Sequence, residues 1–162
     1  MELSAAQRER YERNLLVEGF TDRMQQALIA ARVAVVGAGG LGSAALNYLV
    51  AAGVGHLTLI ENDTVSLSNL QRQVLYTTAD MGRPKAEVAA MRLSRLNPGC
   101  DIRVVTDRLT AANAAGLLGG HDAVVDCTDN YDARYVIDDF CREAEVPMIY
   151  GTAEAVGGQV AV

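Results

Sequence analysis

Short apolar, β-branched runs alternate along this chain with longer stretches whose apolar residues recur at helical spacing. The first run, Arg32-Val33-Ala34-Val35-Val36-Gly37, stops at glycine and reads as a buried strand. Residues 41–52 follow without Pro and with glycine only at Gly42, are rich in Ala and Leu, and read as a helix that Gly53 closes. Further strands are expected over 56–60, 101–106, 123–127 and 146–150, and a sixth starts at Gln159. Pro84 suits the first turn of a helix that Asn97-Pro98-Gly99 ends near Leu96. A weak helix is expected over 110–118. Another runs over 130–144, with Tyr131, Tyr135, Phe140 and Cys141 among its apolar positions.

Strand and helix in strict alternation predict an α/β, Rossmann-like, mostly parallel sheet with helices on both faces. That domain occupies 32–162. Residues 1–31 stand outside the alternation as an N-terminal helical extension of two stretches, with Thr21 a fair N-cap for the second. The last residues, Gly157-Gly158-Gln159-Val160-Ala161-Val162, stop inside an apparent strand. A bare strand edge invites aggregation, so the expectation is a chain truncated at its C-terminus, with more protein following.

Charge and cysteine content narrow the class. A formal net charge of -6 disfavours nonspecific nucleic-acid binding, which needs a basic surface. No stretch approaches the length of a membrane span, and the N-terminus lacks the apolar run of a signal peptide, so the expected location is cytoplasmic. Cys100, Cys127 and Cys141 include no Cys-x-x-Cys pair, so no zinc site is expected within this chain and none of the three is given a catalytic role. His56 and His121 fall at turns and are expected to face solvent.

The first strand runs directly into Gly37-Ala38-Gly39-Gly40-Leu41-Gly42, which matches G-x-G-x-x-G through Gly37, Gly39 and Gly42. Glycine there lets the backbone turn tightly and approach phosphate, and the helix behind it offers free N–H groups and partial positive charge. The acid expected to bind ribose about 20 residues on is Glu61, 19 positions after Gly42, with Asp63 its close competitor. On this segment alone an NAD-dependent oxidoreductase is the natural first reading.

The next segments change that reading. Asn69 and Arg72, in Ser68-Asn69-Leu70-Gln71-Arg72-Gln73, lie just past the second strand within reach of a phosphate chain. Arg83-Pro84-Lys85 adds a second basic cluster. Converging Arg and Lys suit triphosphate chemistry, where negative charge must be neutralised, more than hydride transfer. The fourth strand ends in Asp126-Cys127-Thr128-Asp129-Asn130. A carboxylate there faces the ligand crevice and is able to hold Mg²⁺. Asp129 is favoured for the metal, and Asp126 for a structural or water-mediated role.

Together these residues, with Arg10-Tyr11-Glu12-Arg13, resemble the ThiF/MoeB/HesA family, relatives of the ubiquitin-activating enzymes, from about Arg10 to the last residue. The resemblance implies ATP and Mg²⁺ as ligands. It implies adenylation of the C-terminal glycine carboxylate of a ubiquitin-like sulfur-carrier protein of the ThiS/MoaD type. By the same resemblance Gly37, Gly39, Gly40, Gly42, Glu61, Asp63, Asn69, Arg72, Gln73, Lys85, Asp129 and Asn130 bind the nucleotide. Asn69, Arg72 and Lys85 take catalytic roles on the phosphates, and Asp129 is the metal-associated acid. Arg13 matches an arginine inserted from the neighbouring subunit, which implies a homodimer. Glu61 stands where many members have Asp, and Asn14 where Gln is usual. Two other classes remain beside the adenylating enzyme. One is the NAD-dependent oxidoreductase, and the other a noncatalytic relative that binds nucleotide or a partner.

Overall fold

The computed structural model describes residues 2–162, and its central element is the strand that the sequence marks most clearly. β1 (Arg32–Val36) lies between β2 (His56–Ile60) and β4 (Ala123–Asp126), parallel to both. β3 (Asp101–Val105) extends the sheet beyond β2, and β5 (Met148–Glu154) extends it beyond β4. β6 (Gly157–Ala161) closes the edge antiparallel to β5, giving the order β3-β2-β1-β4-β5-β6. The sheet is thus the α/β, mostly parallel one expected.

Side chains alternate across the pleat, so an unbroken apolar run serves two cores at once. Val33 and Val35 join one core with Leu46 and Val50 of α4 (Gly40–Ala52) and Val88 and Leu93 of α5 (Lys85–Leu96). Ala34 and Val36 join the other with Leu118 of α6 (Ala114–Leu118) and Ile137 and Cys141 of α7 (Tyr131–Ala144). Leu46, Leu93, Leu118 and Ile137 are completely buried. Each contributes roughly 1.5–3 kcal/mol by leaving water, and truncating one to Ala costs about 2–5 kcal/mol.

Three elements differ from expectation. The apolar face of α7 is formed by Ile137 and Cys141, one turn apart, while Tyr131 and Tyr135 lie exposed on its other side. Helix α6 starts only at Ala114, because Asn113 is tied back into a turn by accepting from the Thr110 N–H at 2.8 Å. β5 starts two residues later than expected and runs on through Gly151 to Glu154, because β6 folds back to pair with it.

The N-terminal residues form three helices rather than two: α1 (Ala5–Arg10), α2 (Glu12–Leu15) and α3 (Asp22–Ala30), the last capped by Thr21 as expected. Buried amides bind this segment to the sheet domain. Gln25 is fully buried and donates to the carbonyl of Ala52 at 2.9 Å. Asn14 donates to Gln25 Oε1 at 2.9 Å and to the same carbonyl at 3.1 Å. Asn97, read from sequence only as a helix terminator, donates to Tyr11 Oη and to the Val50 carbonyl, both at 2.9 Å. These bonds add partners to carbonyls in the last turn of α4, where regular helical donors run out.

Candidate functional site

β1 has neighbours on both sides whose connections leave in opposite directions, so a crevice opens at its carboxyl end, between the tips of β1 and β4. The loop 37–42 fills the floor of that crevice. Gly37 has φ +94°, and a Cβ there would lie 2.8 Å from the carbonyl oxygen of Cys127. A Cβ at Gly42 would collide with the carbonyl of Gly37. Both positions therefore exclude any side chain, one by backbone conformation as well as space. Gly39 and Gly40 are different: a Cβ there would meet only side chains, Gln73 Nε2 or the Arg72 stem, each at 3.5 Å, an ordinary contact distance.

α4 begins at Gly40 with Gly39 as its N-cap and no side-chain cap. Its first N–H groups have no helical partner and carry the positive end of the helix dipole, an arrangement suited to phosphate. The loop is held rigidly from below. Ala38 donates its N–H to Glu61 Oε2 at 2.8 Å, and Glu61 Oε1 accepts from the Asp63 N–H at 2.9 Å. Tyr76, which the sequence reading passed over, is buried and donates its hydroxyl to the Ala38 carbonyl at 2.9 Å. Burial, followed by the negative charges of Glu61 and Asp63, pushes the Tyr76 phenol well above its ordinary range.

The long connection 61–84 carries the basic residues. Lys85 is buried, and its ammonium donates to Asp63 Oδ2 at 2.6 Å. That hydrogen bond is the main reason the Asp63 carboxyl is held below the usual range; partial burial opposes it. Arg72 is exposed, donates to the Ser68 carbonyl at 3.3 Å and lays its stem over Gly40. Asn69 is half-buried. Gln73 is buried, and its Oε1 has no hydrogen-bond partner among the described residues. A buried acceptor left without a partner beside an open loop is a position where a ligand donor would be welcome.

Arg83 does not join them. It pairs with Asp80 at 3.3 Å, as part of a network the sequence reading missed. Asp80 Oδ2 accepts from Thr77 N at 2.9 Å, Thr77 Oγ1 at 2.8 Å and Arg92 of α5 at 2.5 Å. Burial acts to raise the Asp80 carboxyl, but the Thr77 hydrogen bonds and the two arginines outweigh it and hold the group below its ordinary value.

Across the crevice, Asp126 is completely buried and structural. It accepts from Thr128 Oγ1 at 2.6 Å and from Arg134 Nε at 2.6 Å, and Arg134 also donates to the carbonyls of Thr128 and Gly151 at 3.1 Å. Asp129 and Asn130 ride exposed on this anchor. Asn130 caps α7 by accepting from the Ala133 N–H at 2.9 Å. Asp129 makes no ion pair among the described residues, and no group of three His, Cys, Asp or Glu side chains there forms a closed metal cage. Mg²⁺ bound with phosphates needs only one or two protein carboxylates, so this lone exposed acid beside an anion cradle fits such an ion.

Arg13 lies elsewhere. It is exposed on α2, next to the Asn14 that holds the far end of α4. The 13 residues of α4 put that end about 18 Å from the glycine loop, beyond an arginine's reach within one chain. His121 is not solvent-facing: its ring nitrogens sit 2.8 Å from the Leu118 carbonyl and from Thr58 Oγ1. Burial, with Asp126 adding, pushes the Cys127 thiol up to about 12, so it is inert at neutral pH. Among the described residues no helix is long and apolar enough to cross a membrane.

A family model described as the ThiF family matches residues 11–162. The chain is 48% identical over 161 residues to a molybdopterin-synthase adenylyltransferase of Salmonella typhimurium, covering 99% of this chain and 65% of that protein. It is 46% identical to a sulfur carrier protein adenylyltransferase of Thermus thermophilus, covering 95% of this chain and 57% of the relative. Among solved structures, the Escherichia coli tRNA N6-threonylcarbamoyladenosine dehydratase TcdA in complex with ATP superposes with a TM-score of 0.86. It shares 32% identity, covering 93% of this chain and 61% of that one. The chain thus spans less than two thirds of the length of these proteins.

Proposed function

The chain belongs to the ThiF family, and from that premise we propose that it uses ATP to adenylate the C-terminal glycine carboxylate of a ubiquitin-like sulfur-carrier protein. The observation that carries the reading is the uncapped start of α4, open above Gly39 and Gly40 and overhung by Arg72 and Gln73. An ATP-bound TcdA and adenylyltransferases of molybdopterin synthase and sulfur carriers, all similar over nearly the whole of this chain, support it.

In this reading the triphosphate lies on the Gly39 and Gly40 amides. Glu61 keeps lone pairs for a ribose hydroxyl after accepting from Ala38 and Asp63. The carrier carboxylate, already anionic at neutral pH, attacks the α-phosphorus. A carboxyl O–P bond forms, the bridging α–β P–O bond breaks, and pyrophosphate leaves with the bond's electron pair. No general base is needed, so catalysis is positioning plus charge neutralisation. Arg72 swings its guanidinium from the Ser68 carbonyl onto the phosphates, and Asn69 adds a hydrogen bond. Lys85, preset by Asp63, holds positive charge at the edge of the cradle. Asp129 would hold Mg²⁺, which when bound supplies further charge neutralisation; Asn130 stands beside it. Arg13 works in the crevice of a second copy, in a homodimer.

The test is pyrophosphate exchange into ATP by the full-length protein with its carrier. Arg72→Ala should slow exchange by roughly 100- to 1000-fold, the usual effect of losing one preorganised donor. An Arg72→Ala subunit mixed with an Arg13→Ala subunit should recover part of the activity, because one hybrid crevice is intact. Exchange by Arg72→Ala at the wild-type rate would overturn the site. No recovery in proven mixed dimers would overturn the role of Arg13.

A further inference from the structure

Ala38 is completely buried, and both polar groups of its backbone are taken. Its N–H donates to Glu61, and its carbonyl accepts from the Tyr76 hydroxyl at 2.9 Å. The Ala38–Gly39 peptide is trans, as is every peptide described. In a trans peptide the carbonyl oxygen and the following N–H lie in one rigid plane and point in opposite directions within it. Whatever fixes the Ala38 carbonyl therefore also fixes the direction of the Gly39 N–H. Tyr76 fixes the carbonyl toward the interior, so the Gly39 N–H is turned outward, toward the open side of the loop. That N–H has no hydrogen-bond partner among the described residues, and no side chain caps the helix it precedes.

Tyr76 is itself well anchored. Its own N–H donates to the Gln73 carbonyl at 3.1 Å, and the next residue, Thr77, is clamped by Asp80 and Arg92. One side chain thus links the connection that carries Arg72 to the loop that receives phosphate. Burial raises its phenol, so the hydroxyl stays protonated, and able to donate, at neutral pH.

We propose that Tyr76 is a positioning residue that aims the Gly39 N–H at the phosphate chain of the bound nucleotide. The inference rests on the nucleotide reading above for what the phosphate belongs to. It adds that phosphate affinity is set from beneath the loop, by a hydroxyl that never touches the ligand. Ser43 Oγ reaches the same carbonyl at 3.5 Å, too far to replace it.

Tyr76→Phe keeps the ring and removes only the aiming hydrogen bond. In full-length protein carrying isotope-labelled glycine, ATP with Mg²⁺ should move the Gly39 amide signal in the wild type. The Phe variant should show a smaller movement and about 10- to 100-fold weaker ATP binding by calorimetry, the range for groups that orient a ligating atom. Leu118→Ala, a truncation on α6 in the core on the other face of the sheet, serves as the stability control. It should lower the melting temperature by at least as much as Tyr76→Phe while leaving ATP affinity and the Gly39 shift intact. A Phe variant that binds ATP and shifts Gly39 like the wild type overturns the inference and leaves adenylation standing. Wild-type protein that binds ATP with the Gly39 shift, yet exchanges no pyrophosphate with the carrier present, overturns adenylation and leaves the role of Tyr76 standing.

Discussion

The two walls of the crevice are built on opposite plans. On the β2 side the groups beneath and behind the glycine loop are tied down, while Arg72 stands exposed. Lys85 is buried on Asp63, Glu61 holds two main-chain N–H groups, and Tyr76 fixes the loop from below. On the β4 side only the root is fixed. Asp126 is buried on Arg134 and Thr128, but Asp129 and Asn130 stand in solvent beyond it. A preorganised wall suits phosphates, whose geometry is constant from one turnover to the next, because no reorganisation is needed when charge develops. An open tip suits ions and partners that arrive and leave.

The largest break in this comparison should come at the β4 root. Asp126→Ala would strand the Arg134 side chain, 15% exposed and cationic, against the carbonyls it also serves. A loss of about 3–5 kcal/mol is expected for a buried pair broken on one side. Urea unfolding would read it as a lower midpoint with an unchanged slope.

The next effect belongs to the fixed wall and is read by pH. The folded-state pKa of Asp80 lies below its unfolded value, so its contribution is complete above about pH 4 and lost as pH falls through the folded value. Wild-type protein should lose stability faster on acidification than Asp80→Asn. The two curves should converge once the carboxyl is protonated. Parallel curves down to the acid limit would mean that the Asp80 network contributes nothing as an ion cluster.

The smallest effect on stability should be at the open tip. Asp129→Ala should change unfolding by no more than about 0.5 kcal/mol, as for an exposed residue without partners. It should nonetheless raise the Mg²⁺ concentration needed for half-maximal pyrophosphate exchange. An unchanged Mg²⁺ dependence would move the ion away from Asp129, toward the exposed Asp63.

These outcomes also mark how far the sequence could be read. β1, the glycine loop and α4 were legible because their signals are local: an apolar run, glycines where no side chain fits, then an Ala- and Leu-rich stretch. Glu61 and Asp63 were legible as a pair, but not their division of labour, in which one braces the glycine loop and the other holds Lys85. Tyr76 and Asp80 were missed because their partners, Ala38 and Arg92, lie on other elements, and nothing in local spacing announces a contact through the interior. His121 was misread for the same reason. A turn position predicts exposure only until another element, here Thr58 of β2, closes over it. The tyrosines of α7 were counted among its apolar positions, although the helical period that brings in Ile137 and Cys141 carries them to the other side.

The position of β1 has a consequence for the birth of the chain. Its partner β2 is complete by Ile60, but its other neighbour, β4, ends only at Asp126. At about 5–20 residues per second of synthesis, the stretch from Ile60 to Asp126 takes roughly 3–13 s to emerge. Through that interval the Val-rich strand that will floor the crevice waits with one edge unpaired. A strand that ends buried at the centre of the sheet is, in time, the one left longest open to the wrong partner.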